Sequence, residues 1–214
     1  MHFIPQNLDD YVVNHSENEP ELLQQLNRET YQKILQPRML SGHYQGRVLS
    51  MISKLTNPKN ILEIGTYTGY SALCLAEGLQ ANGELDTIDI NEELQDFSQK
   101  YFDKSDYSKQ IVQHLGDALE IIPKLDKTFD LVFIDADKEN YSNYFNVIID
   151  KLNTGGIILS DNVLWSGKVL DTTFKKEDTS TPALIEYNAL LKNDKRVETV
   201  VLPIRDGLTI SRKR

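Results

Sequence analysis

The chain has 214 residues, 40% of them apolar and 26% charged, with a formal net charge of −9 at pH 7. This length and balance point to one globular domain large enough to bury a core. The acidic excess argues against broad attraction to nucleic acid or anionic lipid; no run approaches the ~20 apolar residues of a membrane span. The single cysteine, Cys74, excludes an intramolecular disulfide framework.

The opening Met1-His2-Phe3-Ile4-Pro5-Gln6 has no basic n-region and no apolar h-region, so no secretory leader is expected and a reducing cytoplasm fits the lone cysteine. Up to about Gln36 the chain is polar with helical spacing. Asn18 can cap a helix with Glu19 and Pro20 in its first turn and Leu22, Leu23, Leu26 and Tyr31 on its apolar face. From Pro58 onward strands and helices alternate. Strands are expected near 60–64, 84–89, 110–115, 129–135, 156–161, 196–202 and 207–212, and helices at 69–80, 91–104, 117–124, 139–151 and 181–193. Alternation of this kind predicts an α/β domain with a mostly parallel sheet and right-handed crossovers. Asp206-Gly207, between Val200…Arg205 and Leu208…Ser211, reads as a two-residue hairpin turn that closes the sheet with antiparallel strands. Arg212-Lys213-Arg214, the one basic run, reads as a solvated tail.

Three loops carry ligand chemistry. Asn60-Ile-Leu-Glu63-Ile-Gly65-Thr-Tyr67-Thr-Gly69-Tyr-Ser71 is a strand, a glycine-hinged turn and a helix start. Tyr67 stands where a dinucleotide fold needs a second glycine, which favours a ligand without phosphates. Glu63 would repel phosphate and attract an ammonium group. Asp89 ends the second strand 24 residues beyond Gly65, near the ~20-residue offset of an acid that binds ribose hydroxyls. Gly116-Asp117-Ala118 offers a carboxylate to an adenine amino group. An adenosine with a cationic amino-acid tail is S-adenosylmethionine.

Two acidic clusters close apolar runs: Leu131-Val-Phe-Ile-Asp135-Ala-Asp137-Lys138 and Gly156-Ile-Ile-Leu-Ser-Asp161-Asn162. Carboxylates at the C-terminal ends of parallel strands project into the crevice where open α/β sheets bind ligands, and neighbouring strands lie roughly 4.8 Å apart. Asp135, Asp161 and Asn162 could therefore reach one hard cation, leaving positions for water and substrate. Lys138 can place its amine over the same crevice, where a divalent cation would push it toward the neutral form that a general base needs; by position alone, a lysine at a helix start reads more readily as a solvated surface charge. Asp137 is either a second acid or a helix cap. Trp165 is either a pocket wall or a packed loop anchor, His43 lies among candidate ligand residues, and Cys74 reads as core.

These residues resemble the cation-dependent class I O-methyltransferases, which include catechol and caffeoyl-CoA O-methyltransferases. The likeness runs from Met39 to the C-terminal hairpin and rests on Met39…Gly46, Glu63…Ser71, Asp89, Gly116-Asp-Ala118, Asp135-Ala-Asp-Lys138-Glu-Asn-Tyr141 and Asp161-Asn-Val163. It implies a Rossmann-like seven-stranded sheet with helices on both faces, in a single domain over 1–214 with an N-terminal helical extension at 1–36, and a homodimer. It implies metal binding (Mg²⁺, or Mn²⁺ or Ca²⁺) by Asp135, Asp161 and Asn162, with Lys138 as catalytic base. It also implies S-adenosylmethionine contacts from Met39, Ser41, Glu63, Gly65, Tyr67, Ser71, Asp89, Ala118 and Asp135. The acceptor implied is a small phenol with adjacent hydroxyls. A second branch of the family methylates 5-hydroxyuridine in tRNA and shares the hairpin pattern Asp206-Gly-Leu-Thr-Ile-Ser211; Ser41-Gly-His-Tyr-Gln-Gly46 looks more like the phenol branch. Pro37 and Asp137 stand where mammalian catechol enzymes place aromatic gatekeepers.

Overall fold

The structure is a computed structural model that describes residues 4–214; Met1, His2 and Phe3, on which part of the N-terminal reading rests, lie outside them. Two compact units divide the described chain, 4–117 and 118–214.

The first unit contains α1 (Gln6–Asn14), α2 (Glu21–Lys33), α3 (Gly42–Thr56), β1 (Asn60–Ile64), α4 (Tyr70–Ala76), β2 (Glu84–Asp89), α5 (Gln95–Lys104) and β3 (Ile111–Leu115). Its strands lie in the order β3-β2-β1, all parallel, with Glu63 opposite Thr87 and Asp89 opposite Leu115. Ile61, Leu62, Ile64, Leu85 and Ile88 are buried, as the β-branched runs require of strands covered on both faces. The N-terminal helix differs from expectation. It begins at Glu21, after an extended Pro20, and Asn18 does not cap it. The proline forces its predecessor out of the helical region, and Glu19 is held elsewhere: its carboxylate accepts from the Tyr70 hydroxyl at 2.5 Å. Thr30 rather than Tyr31 completes the buried face, and Tyr31 is exposed.

Helix α3 has no counterpart among the expected elements. Its buried face, Gln45, Gly46, Arg47, Leu49, Ser50 and Ser53, is polar or glycine except at Leu49, so apolar periodicity does not reveal it. Gly46 is there because α4 comes so close: an added Cβ would lie 2.7 Å from the Tyr70 ring and 2.9 Å from Cys74 Sγ. Cys74 is fully buried, as its helical setting predicts, and burial pushes its thiol up to about 12.

The second unit contains α6 (Ala118–Ile121), β4 (Phe129–Ile134), α7 (Tyr141–Ile148), β5 (Leu152–Asp161), α8 (Ser180–Asn193), β6 (Val197–Leu202) and β7 (Leu208–Lys213). Pro123 cuts the expected 117–124 helix short and tightens its end into a 3₁₀ turn over Ile122–Lys124. The strands lie in the order β4-β5-β7-β6, with β7 antiparallel to both neighbours. The C-terminal hairpin is present, but its turn is longer than two residues. Leu202 pairs with Leu208, so residues 203–207 form the loop, and Gly207 N–H donates to Ile204 O at 2.8 Å. The basic run is not a tail either. Arg212 lies in β7 and pairs with Glu198 at 3.0 Å, while Lys213 Nζ donates to Ile149 O at 2.6 Å and Leu152 O at 2.7 Å.

The strand set is that of a seven-stranded mixed sheet with β7 its antiparallel member, as expected. Among the described residues no helix is long and apolar enough to cross a membrane.

Candidate active site

In the second unit, β4 and β5 run parallel with Ile134 opposite Ser160. Asp135 follows Ile134 and Asp161 follows Ser160, so the two acids come next in sequence after a paired position on adjacent strands. Asp161 is buried and its Oδ1 accepts from the Asn162 N–H at 2.7 Å. Asn162 adopts φ 59°, a left-handed conformation that asparagine tolerates better than most residues. This turns the chain out of the strand directly after Asp161.

Lys138 begins a 3₁₀ turn over Lys138–Asn140 and is only 8% exposed. Its Nζ donates to Asp135 Oδ1 at 3.0 Å and to the Tyr141 hydroxyl at 2.7 Å, and sits 4.8 Å from the centre of the Tyr141 ring. Tyr141 is fully buried. Its hydroxyl also lies 3.0 Å from Asp161 O and 3.3 Å from Ile134 O, so it links the amine to the ends of both acid-bearing strands. Burial, then the Asp135 and Asp161 carboxylates, hold the Tyr141 phenol well above its usual range. Tyr141 therefore keeps its proton.

The donor set suits a hard divalent cation. Asp135 Oδ2 and the Asn162 side-chain amide make no hydrogen bond among the described residues, and Asp161 adds a second carboxylate. Among the described residues no group of three or more histidine, cysteine or carboxylate side chains could hold a metal. Two carboxylates and an amide oxygen are a small ligand set, of the kind that leaves a cation several positions for water and substrate.

The loop that follows is strained. Trp165, Ser166 and Gly167 all have positive φ, at 46°, 55° and 84°, and each of the first two costs about 1–2 kcal/mol against a right-handed conformation. Trp165 Nε1 is buried without a partner, and Lys168 Nζ lies 5.9 Å from the indole. Asp137 occupies the N-cap position without bonding the backbone there; its carboxylate accepts from the Asn140 and Tyr144 side chains.

In the first unit, the expected donor loops gather at the C-terminal ends of β1 and β2. Asp89 accepts from Tyr67 N–H at 2.7 Å through Oδ2 and from Asn91 N–H at 2.9 Å through Oδ1. The carboxylate is thus fixed in direction, and Tyr67 takes a left-handed φ of 48° to reach it. Gly65 N–H continues the ladder to Ile88 O at 2.9 Å. Glu63 is buried, and its Oε2 accepts from Thr87 Oγ1 at 2.5 Å. Thr87 has one hydroxyl proton, so the 2.5 Å contact between its Oγ1 and Thr66 Oγ1 is donated by Thr66. Ser71 lies in the first turn of α4, which is buried throughout. Ser41 is buried at the start of α3, whereas Met39 is 58% exposed in a 3₁₀ turn over Pro37–Met39. His43 is committed to a backbone contact, 2.7 Å from Glu17 O. Ala118, in the second unit, is the first residue of α6 and is buried.

The O-methyltransferase family model matches residues 13–214. The chain belongs to this family. Among its relatives is a caffeoyl-CoA O-methyltransferase from Petroselinum crispum, 38% identical over 205 residues that cover 91% of this chain and 85% of the relative. A methyltransferase from Podospora anserina, solved with S-adenosylhomocysteine bound, has a TM-score of 0.88 at 28% identity and covers 98% of this chain and 94% of its own. An O-methyltransferase from Bacillus cereus, also solved with S-adenosylhomocysteine, has a TM-score of 0.89 at 26% identity over 97% of each chain. Membership makes the protein an S-adenosylmethionine-dependent O-methyltransferase with a Rossmann-like fold.

Three residues of this O-methyltransferase that shape its loops escape sequence reading. Tyr141 follows Lys138 by three residues, the spacing of neighbours on one helical face, which is a signal that could have found it. Thr87 is an ordinary strand residue by pattern, and only the β1–β2 register sets it beside Glu63. Asp206 reads as turn chemistry and nothing more.

Proposed function

We propose that the protein methylates one of two adjacent hydroxyls on a phenolic acceptor, with a divalent cation held by Asp135, Asp161 and Asn162 and Lys138 as the base. The observation that carries this reading is the buried Lys138 amine, set between Asp135 and Tyr141 at the mouth of an oxygen-only ligand set. When bound, the cation would lower the pKa of a coordinated hydroxyl. Lys138 Nζ takes the phenolic proton: the O–H bond breaks and an N–H bond forms. The phenolate oxygen then bonds to the methyl carbon as the sulfonium C–S bond breaks, leaving a neutral thioether. Asp89 and Glu63 are assigned to the ribose and the amino group of the donor, with Met39, Ser41, Gly65, Tyr67, Ser71, Ala118 and Asp135 as its further contacts. Holding donor and acceptor in line supplies much of the rate.

The name of the Petroselinum relative supports a caffeoyl-type acceptor, and the net charge of −9 fits a small phenol better than tRNA. The test compares methyl transfer to caffeoyl-CoA and to simple catechol with transfer to tRNA carrying 5-hydroxyuridine, each with Mg²⁺ and with EDTA. Phenolic turnover that EDTA abolishes and Mg²⁺ restores is expected. Turnover that survives EDTA would remove the metal from this reading, and transfer to tRNA alone would replace the acceptor.

A further inference from the structure

The loop that leaves the end of β5 is gripped from outside by the β6–β7 turn. Leu164 N–H donates to Asp206 O at 2.9 Å and Val163 N–H to Gly207 O at 3.2 Å. The Ser166 N–H donates to the Asp206 carboxylate, Oδ1. Ser166 is the middle member of the left-handed run Trp165-Ser166-Gly167, so this side chain holds the loop where its backbone is least comfortable. Gly207, at φ 93°, permits the approach: a Cβ there would lie 2.5 Å from Leu164 Cγ and 2.9 Å from Leu164 N. From the other side, Asn188 Nδ2 of α8 donates to Val163 O at 2.8 Å. Inside the loop, Trp165 N–H closes back on Asn162 O at 3.0 Å. The backbone of Asn162 is therefore set by a turn whose far end Asp206 fixes, and Asp161 pairs directly with Leu208, the first residue after that turn.

We infer that Asp206 is a positioning residue for the cation site: its carboxylate locks the strained 162–167 loop so that Asn162 and Asp161 present their oxygens together. This rests on the metal assignment made above, and goes beyond it by giving the hairpin turn a role in ligand affinity. Partners that orient metal ligands typically contribute 10–100-fold in affinity.

The experiment titrates the full-length protein with Mn²⁺, saturated with S-adenosylhomocysteine, and follows free Mn²⁺ by electron paramagnetic resonance. Asp206→Ala should weaken Mn²⁺ about 10-fold or more, with S-adenosylhomocysteine affinity by calorimetry unchanged. Asp206→Asn, which keeps the acceptor oxygen, should restore most of the loss. Asp161→Ala is the control for the underlying reading: if it binds Mn²⁺ like the wild type, the metal assignment itself is wrong. If Asp161→Ala abolishes binding while Asp206→Ala binds normally, the positioning role is overturned and the metal site stands. Hydrogen exchange on the wild type gives a readout that no misfolded variant can obscure. The Ser166 amide should be protected and further slowed by Mn²⁺; exchange at the rate of a free loop amide would overturn the inference.

Discussion

Tyr141→Phe removes one oxygen and leaves the rest of its environment in place. The phenyl ring keeps its edge-on packing against Tyr187, with centroids 5.3 Å apart, and its face toward Lys138 Nζ at 4.8 Å. What disappears is the 2.7 Å acceptor for the Lys138 amine and the link to Asp161 O at 3.0 Å. A hydrogen bond to a charged group contributes about 1.5–3 kcal/mol. A loss near 2 kcal/mol lowers Tm by roughly 4–8 °C in a protein of this size. If the same bond holds the amine in its productive position, kcat falls by roughly 10–100-fold, since each 1.4 kcal/mol is a factor of ten. The assay pairs a thermal melt with kcat and KM for caffeoyl-CoA under saturating Mg²⁺ and donor. A protein that melts several degrees lower yet turns over at the wild-type rate would refute the reasoning, because Tyr141 would then support the fold without steering Lys138.

Two other outcomes follow from the same contacts. Lys138→Ala should cut kcat by roughly 10²-fold or more while S-adenosylhomocysteine affinity by calorimetry stays within a few-fold of wild type; a near-normal rate would end its role as base. Lys100, Lys33 and the Tyr101 hydroxyl hold the Glu29 carboxyl down at about 2, against 4.5 for the free group. A depressed carboxyl stabilises the fold fully above its unfolded pKa, and that contribution disappears as pH falls toward the folded one. Both lysines are partly exposed, so the contribution is discounted to about 1 kcal/mol. Glu29→Gln should therefore melt below the wild type at pH 7, with the gap closing between pH 4.5 and about 2; a gap that ignores pH would contradict the assignment.

The sequence made the acids legible because each ends a buried β-branched run, and such runs mark parallel strands whatever surrounds them. Asp89, Asp135 and Asp161 follow directly from that pattern, and the structure places all three at or just past strand ends. What stayed hidden depends on register or on close approach. Thr87 meets Glu63 only because β1 and β2 align there. Helix α3 was illegible because it packs through Gly46 and buries Gln45 and Ser53, leaving no apolar stripe to read. By composition Asp206-Gly207 is a two-residue turn, but those residues end a five-residue loop and bond a neighbouring segment. Local pattern carries no trace of a contact made 40 residues away.

Trp165 is the protein's one tryptophan, and it stands three residues past Asn162 in the loop that Asp206 holds. Light absorbed by indole alone is therefore emitted from a single address in the molecule. Its colour and yield depend on the polarity and motion of that loop, and the Lys168 amine lies 5.9 Å from the ring centre. Under the proposed cation reading, filling the neighbouring site should shift this emission, a change that can be read in the unmodified chain without a label or a turnover assay.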